Sequence, residues 1–296
     1  MGRRWRAKWP LVFTALTAWL GLLVFMYPSV ASWVSQYSQS QLIENYSSQV
    51  QKGISPSVAE QLKSAREYNK ALQAGALLAP NANIPQGEGR SNDQSMDYWK
   101  MLQADSTGIM ARLRIPSINV DLPIYHGTSD ATLEVGAGHL EGTSLPVGGE
   151  GTHSVLTAHR GLAHATMFSN LDKVHEGDTF SLEVMGEVLT YQVVSTTVVD
   201  PDQTESLRQV PGQDLVTLVT CTPLGINTQR ILVTAQRVLP TPQEDLNVIG
   251  EQPDIPGFPW WMFVLGGGTS AAGFFIWYSG RPVFGTRQKK AKHSNR

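Results

Sequence analysis

Two long uncharged runs bracket this chain and constrain its fold more than any other feature. No Asp, Glu, Lys or Arg occurs from residue 9 to residue 43, and residues 11–27 (LVFTALTAWLGLLVFMY) are almost wholly apolar. Near the other end, residues 258–279 (FPWWMFVLGGGTSAAGFFIWYS) are uncharged and aromatic at both edges. Each run is close to the roughly 20 residues that a helix needs to cross a bilayer. Trp and Tyr at the boundaries suit the interfacial belt of a membrane. Three other readings compete. Ser29-Val30-Ala31 has the small-x-small form of a signal-peptide cleavage site. Burial of both runs in a soluble core is the second, and the charges that flank them oppose it. Gly266, Gly267, Gly268 and Gly273 lower the helix propensity of the second run, which favours weaker insertion.

The charges settle an orientation. The chain has 296 residues with 23 Lys+Arg and 25 Asp+Glu, a net charge of −2. Residues 1–10 hold four basic side chains (Arg3, Arg4, Arg6, Lys8) and no acid. Residues 281–296 hold six (Arg281, Arg287, Lys289, Lys290, Lys292, Arg296), again with no acid. The middle keeps 13 basic and all 25 acidic residues, for a net charge of −12. Basic clusters outside both runs place both termini in the cytoplasm by the positive-inside rule, with the acidic middle on the far side. A middle of that charge has no general attraction for polyanions, which excludes nucleic acid as a partner.

The segments then read as follows. A cytoplasmic basic stretch (1–10) precedes a transmembrane helix or signal anchor (11–28). A helical appendage with a loop (29–107), a β domain (108–238) and a Pro-rich stiff linker (239–257) come next. A second transmembrane helix (258–279) and a cytoplasmic basic tail (280–296) complete the chain. Within the appendage, Ser55-Pro56 offers an N-cap and first-turn proline, and Ser57 with Glu60 offers a capping box. Gly75 is a C-cap, so a helix is expected over residues 56–74, with a shorter one over 96–103. Residues 79–95 are polar and turn-rich and read as a loop.

After Gly108 short runs rich in Val, Ile, Leu and Thr alternate with Gly, Pro and Asp clusters. Strands are expected at 110–115, 121–125, 153–158, 179–184, 188–199, 215–220 and 230–236. That spacing points to an all-β barrel or sandwich, and no repeat period indicates a solenoid.

Chemistry is sought first at the single cysteine, Cys221, which has no partner in the chain for a disulfide. It closes an apolar strand and precedes the loop signal Thr222-Pro223-Leu224-Gly225, a boundary at which a thiol can face a cleft. A buried, inert thiol is the alternative reading of any lone cysteine. A nucleophilic thiol needs a proton partner and a cationic setting. Arg230, nine residues on, begins the next strand and stands beside Cys221 if the two strands pair. Among His126, His139, His153, His159, His164 and His175, His159 is distinguished by ending the strand 153–158. His153 begins that strand and should lie at the opposite edge. The spacing of His153, His159 and His164 matches no zinc motif, and one cysteine rules out a multi-thiolate metal site. No G-x-S-x-G, P-loop or G-x-G-x-x-G motif occurs.

The run Thr217-Leu-Val-Thr-Cys221-Thr-Pro-Leu-Gly-Ile-Asn-Thr-Gln-Arg230, with Leu156-Thr-Ala-His-Arg-Gly161, resembles the sortases, cysteine transpeptidases of the Gram-positive cell surface. Leu122-Pro-Ile-Tyr-His-Gly-Thr128 and Gly138-His-Leu-Glu-Gly-Thr-Ser-Leu-Pro-Val-Gly-Gly149 are similar to class C, the pilin-polymerising type. The resemblance covers roughly residues 96–238. It implies a mainly β protein, an eight-stranded sortase barrel with an N-terminal helical appendage, flanked by N- and C-terminal transmembrane helices. It further implies the catalytic set His159, Cys221 and Arg230. Cys221 attacks the Thr–Gly carbonyl of an LPxTG-like sorting signal and becomes a thioacyl enzyme. His159 exchanges protons with the leaving and incoming amines, and Arg230 holds the oxyanion or substrate backbone. Backbone N–H groups around Thr220 and Cys221 are further candidate oxyanion donors. The acceptor is a pilin lysine amine, and because a thioester conserves acyl energy no cofactor, ATP or metal is implied.

One feature departs from the class. Many pilin sortases carry a lid with an Asp-Pro-aromatic motif, and residues 79–95 contain none; the only Asp-Pro is Asp200-Pro201. The expectation is a lid that is absent or degenerate. The alternative enzyme reading is a housekeeping sortase that attaches proteins to peptidoglycan precursor. A noncatalytic surface or pilus protein, or a membrane scaffold, is the alternative from another class. Leu239-Pro-Thr-Pro-Gln243 superficially resembles a sorting signal, but Pro242 and Gln243 stand where Thr-Gly is required. Residues 201–211 are the expected selectivity loop.

Overall fold

In the computed structural model, residues 5–54, 56–72, 77–78, 85–86, 97–104 and 107–281 are described. The chain divides into two units, Met1–Val30 with Phe258–Arg296, and Ala31–Gly257.

The larger unit is built on a closed barrel. Its strands are β3 (Ile109–Ile115), β4 (Val120–His126), β5 (Ala137–His139), β6 (Thr152–Thr157), β7 (Thr179–Val184), β8 (Glu187–Val199), β9 (Asp214–Thr222) and β10 (Gln229–Arg237). A separate two-stranded ladder pairs β1 (Leu77–Leu78) with β2 (Pro85–Gln86). Around the barrel the order is β10-β8-β7-β3-β4-β5-β6-β9, closing back on β10. Pairing is antiparallel except for β4 with β5 and β6 with β9. A parallel pair needs a crossover, and helix α3 (Asp130–Val135) supplies it between β4 and β5. Closure leaves no strand edge unpaired.

Seven of the eight barrel strands lie where the sequence reading expects them. The eighth, β5, is Ala-Gly-His and carries no β-branched residue. The interior is filled by alternate side chains such as Leu113, Ile124, Leu156, Leu182, Val216, Leu218, Ile231 and Val233. Burying an aliphatic side chain of this size stabilises the fold by about 1.5–3 kcal/mol.

Helix α1 runs from Trp9 to Lys52 with Pro28 inside it, so the helix expected over 11–28 continues well past the proline. After Gly21 no glycine interrupts the chain until Gly53, whose φ of +90° ends the helix. In the larger unit its residues pack on the barrel wall. Tyr46 is fully buried; its hydroxyl donates to the Met110 carbonyl (3.1 Å) and accepts from Met185 N–H (2.8 Å). Helix α2 (Val58–Ala71) starts at Ser57, which forms the expected capping box with Glu60. It ends at Leu72, short of the expected residue 74; Gly75 and the loop 79–95, where the lid is expected to be absent or degenerate, lie outside the described residues, β2 excepted. Leu62, Ala65 and Tyr68 form its buried face. Of the short helix expected over 96–103, only a 3-10 turn at Tyr98–Lys100 forms.

The segment after β10, read as a stiff linker, is a strap bonded to the larger unit. It contains α4 (Gln243–Asn247). Asp245 accepts from Thr190 Oγ1, Gly250 N–H donates to Glu183 (3.2 Å), and the Glu251 carbonyl accepts from Arg112 (2.8 Å).

In the smaller unit, residues 258–279 form most of helix α5 (Trp260–Ser279). It packs against the first part of α1. Trp19 Nε1 donates to Thr269 Oγ1 (3.0 Å), Trp5 Nε1 donates to the Trp277 carbonyl (3.0 Å), and Gly268 gives room to Leu22. Among the described residues one helix, α1, is long and apolar enough to cross a membrane. Consecutive glycines and the Trp and Tyr side chains keep α5 below that apolarity, so the flanking C-terminal transmembrane helix is not established by this structure.

Candidate active site

Strand register lines up the three residues singled out in the sequence. In the antiparallel pair β9–β10, Cys221 lies directly opposite Arg230. In the parallel pair β6–β9, Thr157 lies beside Val219. The pairing continues one residue past β6, because Ala158 N–H donates to the Val219 carbonyl (3.3 Å) and Thr220 Oγ1 donates to the Ala158 carbonyl (2.8 Å). The next residues in that register are His159 and Cys221. Residues opposite one another across a sheet share a face, with adjacent strands about 4.8 Å apart. Cys221 and Arg230 therefore form one row on neighbouring strands, and His159 stands two residues past the end of β6, the strand on the other side of β9.

That row is on the outer face of the barrel. Leu218, Ile231 and Val233 point into the main core, so Val219, Cys221, Leu232 and Arg230 point outward. The outer face is itself partly covered. Val155, Val219 and Leu232 pack with Leu140 and with Leu207 of the expected selectivity segment, forming a small second apolar cluster. Further down the same face His153 Nε2 meets Thr217 Oγ1 (2.7 Å), and Thr217 meets Thr234 (2.9 Å). His153 thus belongs to the far end of the strand, as expected. The two threonines of Thr-Leu-Val-Thr-Cys do different work: Thr217 bonds within the outer face, and Thr220 ties β9 to the carbonyl that precedes His159.

Cys221 is half-buried and in no disulfide. Arg230 is 1% exposed and has no carboxylate within ion-pair distance among the described residues. Its Nη1 donates to the carbonyls of Asn227 (3.0 Å) and Gln229 (2.9 Å), while its buried Nε has no hydrogen-bond partner among the described residues. A buried guanidinium in that state is poised for an external acceptor. His159 is half-buried at the mouth of β6, and its carbonyl accepts from Phe168 N–H (3.0 Å).

Residues that sequence reading did not single out hold this row together. Arg160 bonds Thr222 Oγ1 (2.9 Å), the Ser169 carbonyl (3.3 Å) and Asp172 (2.8 Å). Gly161, with φ +79°, passes so close to Leu224 that a Cβ there would lie 2.7 Å from Leu224 Cδ1. The His-Arg-Gly turn is therefore fitted to the loop that follows Cys221. The motif itself was the available signal, since Arg160 and Gly161 flank His159 within it.

The other histidines are placed elsewhere. His126 is held by the carbonyls of Met101 (2.7 Å) and Gly108 (3.3 Å), and burial pushes its pKa down. His139 is fully buried between Tyr98 Oη (3.0 Å) and the Ser144 carbonyl (2.8 Å), and burial pushes it down to about 4. Burial also lowers His153. His164 pairs with Glu134 (2.9 Å) on the surface, and His175 N–H donates to Asp178 (3.0 Å). Among the described residues no group of His, Cys, Asp and Glu is arranged to hold a metal ion.

Fold and row together define a β-barrel with a half-buried thiol on its outer wall. Comparison with known proteins gives that class its family. Residues 113–238 match the sortase domain. The chain is 30% identical over 174 residues to sortase D of Bacillus subtilis (strain 168), covering 57% of this chain and 83% of that protein. Among solved structures it is similar to sortase C-1 of Actinomyces oris, with 49% identity, a TM-score of 0.56, and coverage of 62% of this chain and 99% of that one. It is also similar to sortase C of Streptococcus pneumoniae, a structure described as bearing on catalysis and pilin substrate specificity. There the identity is 38%, the TM-score 0.59, and the coverage 67% and 96%. The chain belongs to the sortase family of cysteine transpeptidases, and its structural neighbours are mostly class C sortases.

Proposed function

We propose that this protein is a membrane-anchored class C-type sortase that joins pilin subunits, with Cys221, His159 and Arg230 as its catalytic residues. The observation that supports the reading is the register of β9 with β10, in which a buried guanidinium with no carboxylate partner among the described residues stands opposite Cys221, while His159 follows the end of the neighbouring β6. In the first half-reaction the Cys221 thiolate attacks the Thr carbonyl carbon of an LPxTG-like signal, and the oxyanion is stabilised by the Arg230 N–H groups. The C–N bond to Gly then breaks as His159 gives its proton to the leaving amine, which leaves a thioacyl enzyme. In the second, a pilin lysine amine attacks the thioester, His159 takes its proton, and Cys221 departs as thiolate. Water exclusion matters only at the thioester stage, where hydrolysis competes with the amine.

The neighbours of this chain support the pilin substrate, since one concerns pilin substrate specificity in a sortase C. The basic ends and the apolar part of α1 support anchoring, with the catalytic unit extracellular and both termini cytoplasmic. On this reading α5 is a second span and the lid is absent or degenerate. Cys221→Ala and deletion strains test the reading. Loss of high-mass pilus polymers with normal anchoring of monomers supports it. Loss of monomer anchoring to peptidoglycan assigns the housekeeping role instead, and surviving activity in a stable Cys221→Ala protein refutes catalysis by this thiol.

A further inference from the structure

The loop that leaves His159 is pinned by a helix remote in sequence. Ser32 Oγ and Thr166 Oγ1 lie 2.9 Å apart, and Gln36 Nε2 donates to the same hydroxyl at 3.1 Å. One turn further along α1, buried Gln39 donates to the Val135 carbonyl (3.2 Å) and to Met167 Sδ (3.5 Å). Met167 has a φ of +40°, a left-handed conformation that is unfavourable for a non-glycine residue and persists only where its surroundings impose it. The next residue, Phe168, is fully buried and donates its N–H to the His159 carbonyl at 3.0 Å. Ser169 closes the turn: its N–H donates to the Thr166 carbonyl (2.8 Å), and its Oγ accepts from Gly161 N–H (3.0 Å). Residues 159–169 thus form a loop whose ends meet at His159 and Phe168 and whose corner is fastened to α1.

None of these bonds reaches the reacting atoms, yet all of them bear on where His159 stands. Proton transfer requires the imidazole within hydrogen-bond reach of its partner, and a displacement of about 1 Å is enough to cost up to about 100-fold in rate. We propose that Thr166 is a positioning residue for His159 and that Ser32 and Gln36 of α1 act through it, so that the anchor helix is part of what sets the turnover rate. This rests on the reading of His159 as the proton-transfer group. The side chains concerned contribute nothing to the Cys221–Arg230 end of the row, so turnover rather than substrate binding should respond.

The test uses the full chain in lipid nanodiscs, with a fluorescent LPxTG peptide and an amine acceptor. Thr166→Val keeps the shape and removes the hydroxyl. The expected result is a kcat reduced about tenfold, corresponding to about 1.4 kcal/mol of barrier, with KM within about twofold of wild type. Thr166→Ser should restore kcat. Ser32→Ala with Gln36→Ala should lower kcat to the same level, and adding Thr166→Val should lower it no further. Wild-type kcat in Thr166→Val, failure of Ser to restore it, or additive losses overturn the proposal. If Thr166→Val is poorly folded by its melting temperature, the α1 pair of substitutions decides alone, by the same kcat criterion. His159→Ala is run alongside. If it stays active, the underlying reading fails; if it is inactive while Thr166→Val is unimpaired, only the positioning role fails.

Discussion

Arg160 donates from Nη1 to Thr222 Oγ1 at 2.9 Å, and so ties the residue after His159 to the residue after Cys221. On the proposed function, the bond spans the two chain segments that must stay aligned for an amine at the Cys221 acyl group to exchange a proton with His159. Asp172 (2.8 Å) and the Ser169 carbonyl (3.3 Å) fix the other edges of the guanidinium, so it is held on three sides. Arg160 is thereby a brace rather than a substrate ligand.

Replacing either end of the brace should affect rate more than stability. Arg160→Ala and Thr222→Val are each expected to lower kcat by about tenfold, with KM little changed. The double variant should be no slower than Arg160→Ala, because the bond that Thr222→Val removes is already lost in Arg160→Ala. Steady-state kinetics on the four proteins of this cycle checks it, and additive losses would show that the residues act separately.

The buried histidines predict an acid-sensitive fold. His139 titrates at about 4 in the folded protein because burial opposes its charge, against about 6.5 in an unfolded chain. Above pH 6.5 both states are neutral and the residue adds no pH dependence. Between pH 6.5 and 4 the unfolded chain takes up a proton that the folded protein refuses, so stability falls as pH falls, by about 3 kcal/mol across that window. His126 and His153, also lowered by burial, act in the same direction. Urea denaturation at pH 7, 5.5 and 4.5 should show the decline, and His139→Gln should have a shallower slope over the same range.

Much of this was legible in the sequence because the strands carry strong local signals. Runs such as Leu215–Thr220 alternate between two buried faces, and glycine or proline punctuates the gaps, so seven barrel strands and the positions of Cys221 and Arg230 at facing strand ends could be read directly. β5 could not, since Ala137 and Gly138 have no strand preference and pair only because β4 and β6 lie on either side. The apolar run marks a span over 11–28, whereas the helix runs on through Pro28 to Lys52, where the residues are polar and carry no membrane signal. The row itself was only half visible. The β9–β10 pairing follows from adjacency, but the parallel pairing of β6 with β9, which brings in His159, joins segments more than 55 residues apart. Gln36, Gln39 and Thr166 had no local signal at all, being polar residues whose partners are distant in sequence.

Arg112 makes the strongest charged contacts in the core. Its Nε and Nη2 grip Asp121 at 2.8 and 2.6 Å, and Nη1 lies 3.5 Å from Glu183. Burial works against the guanidinium charge, but these carboxylates outweigh it and keep its pKa raised; burial also raises Glu183. Glu183 in turn accepts from Ser47 of α1 (3.5 Å) and Gly250 of the strap (3.2 Å), so the cluster joins three parts of the larger unit. Arg112→Met leaves two buried carboxyls without their cation and should destabilise the protein by about 3–5 kcal/mol. Replacing Arg112, Asp121 and Glu183 together by apolar residues of similar volume should cost much less. Denaturant titration of both variants tests this, and equal losses would contradict the argument.

Arg230 is the contrasting case, equally buried but with two backbone carbonyls as its partners among the described residues. A cation without a carboxylate is a cost to the folded state, so on the proposed function Arg230 serves catalysis rather than stability. Arg230→Met should therefore keep or raise the melting temperature while lowering kcat by about 10²–10³, the loss typical of an oxyanion donor. Arg230→Lys should not restore the rate, because an ammonium lacks the planar fork and prefers full hydration to a carbonyl-lined site. Differential scanning calorimetry and peptide kinetics on the two variants separate the effects. A Met variant that is both less stable and fully active would reverse the assignment and make Arg230 a structural residue.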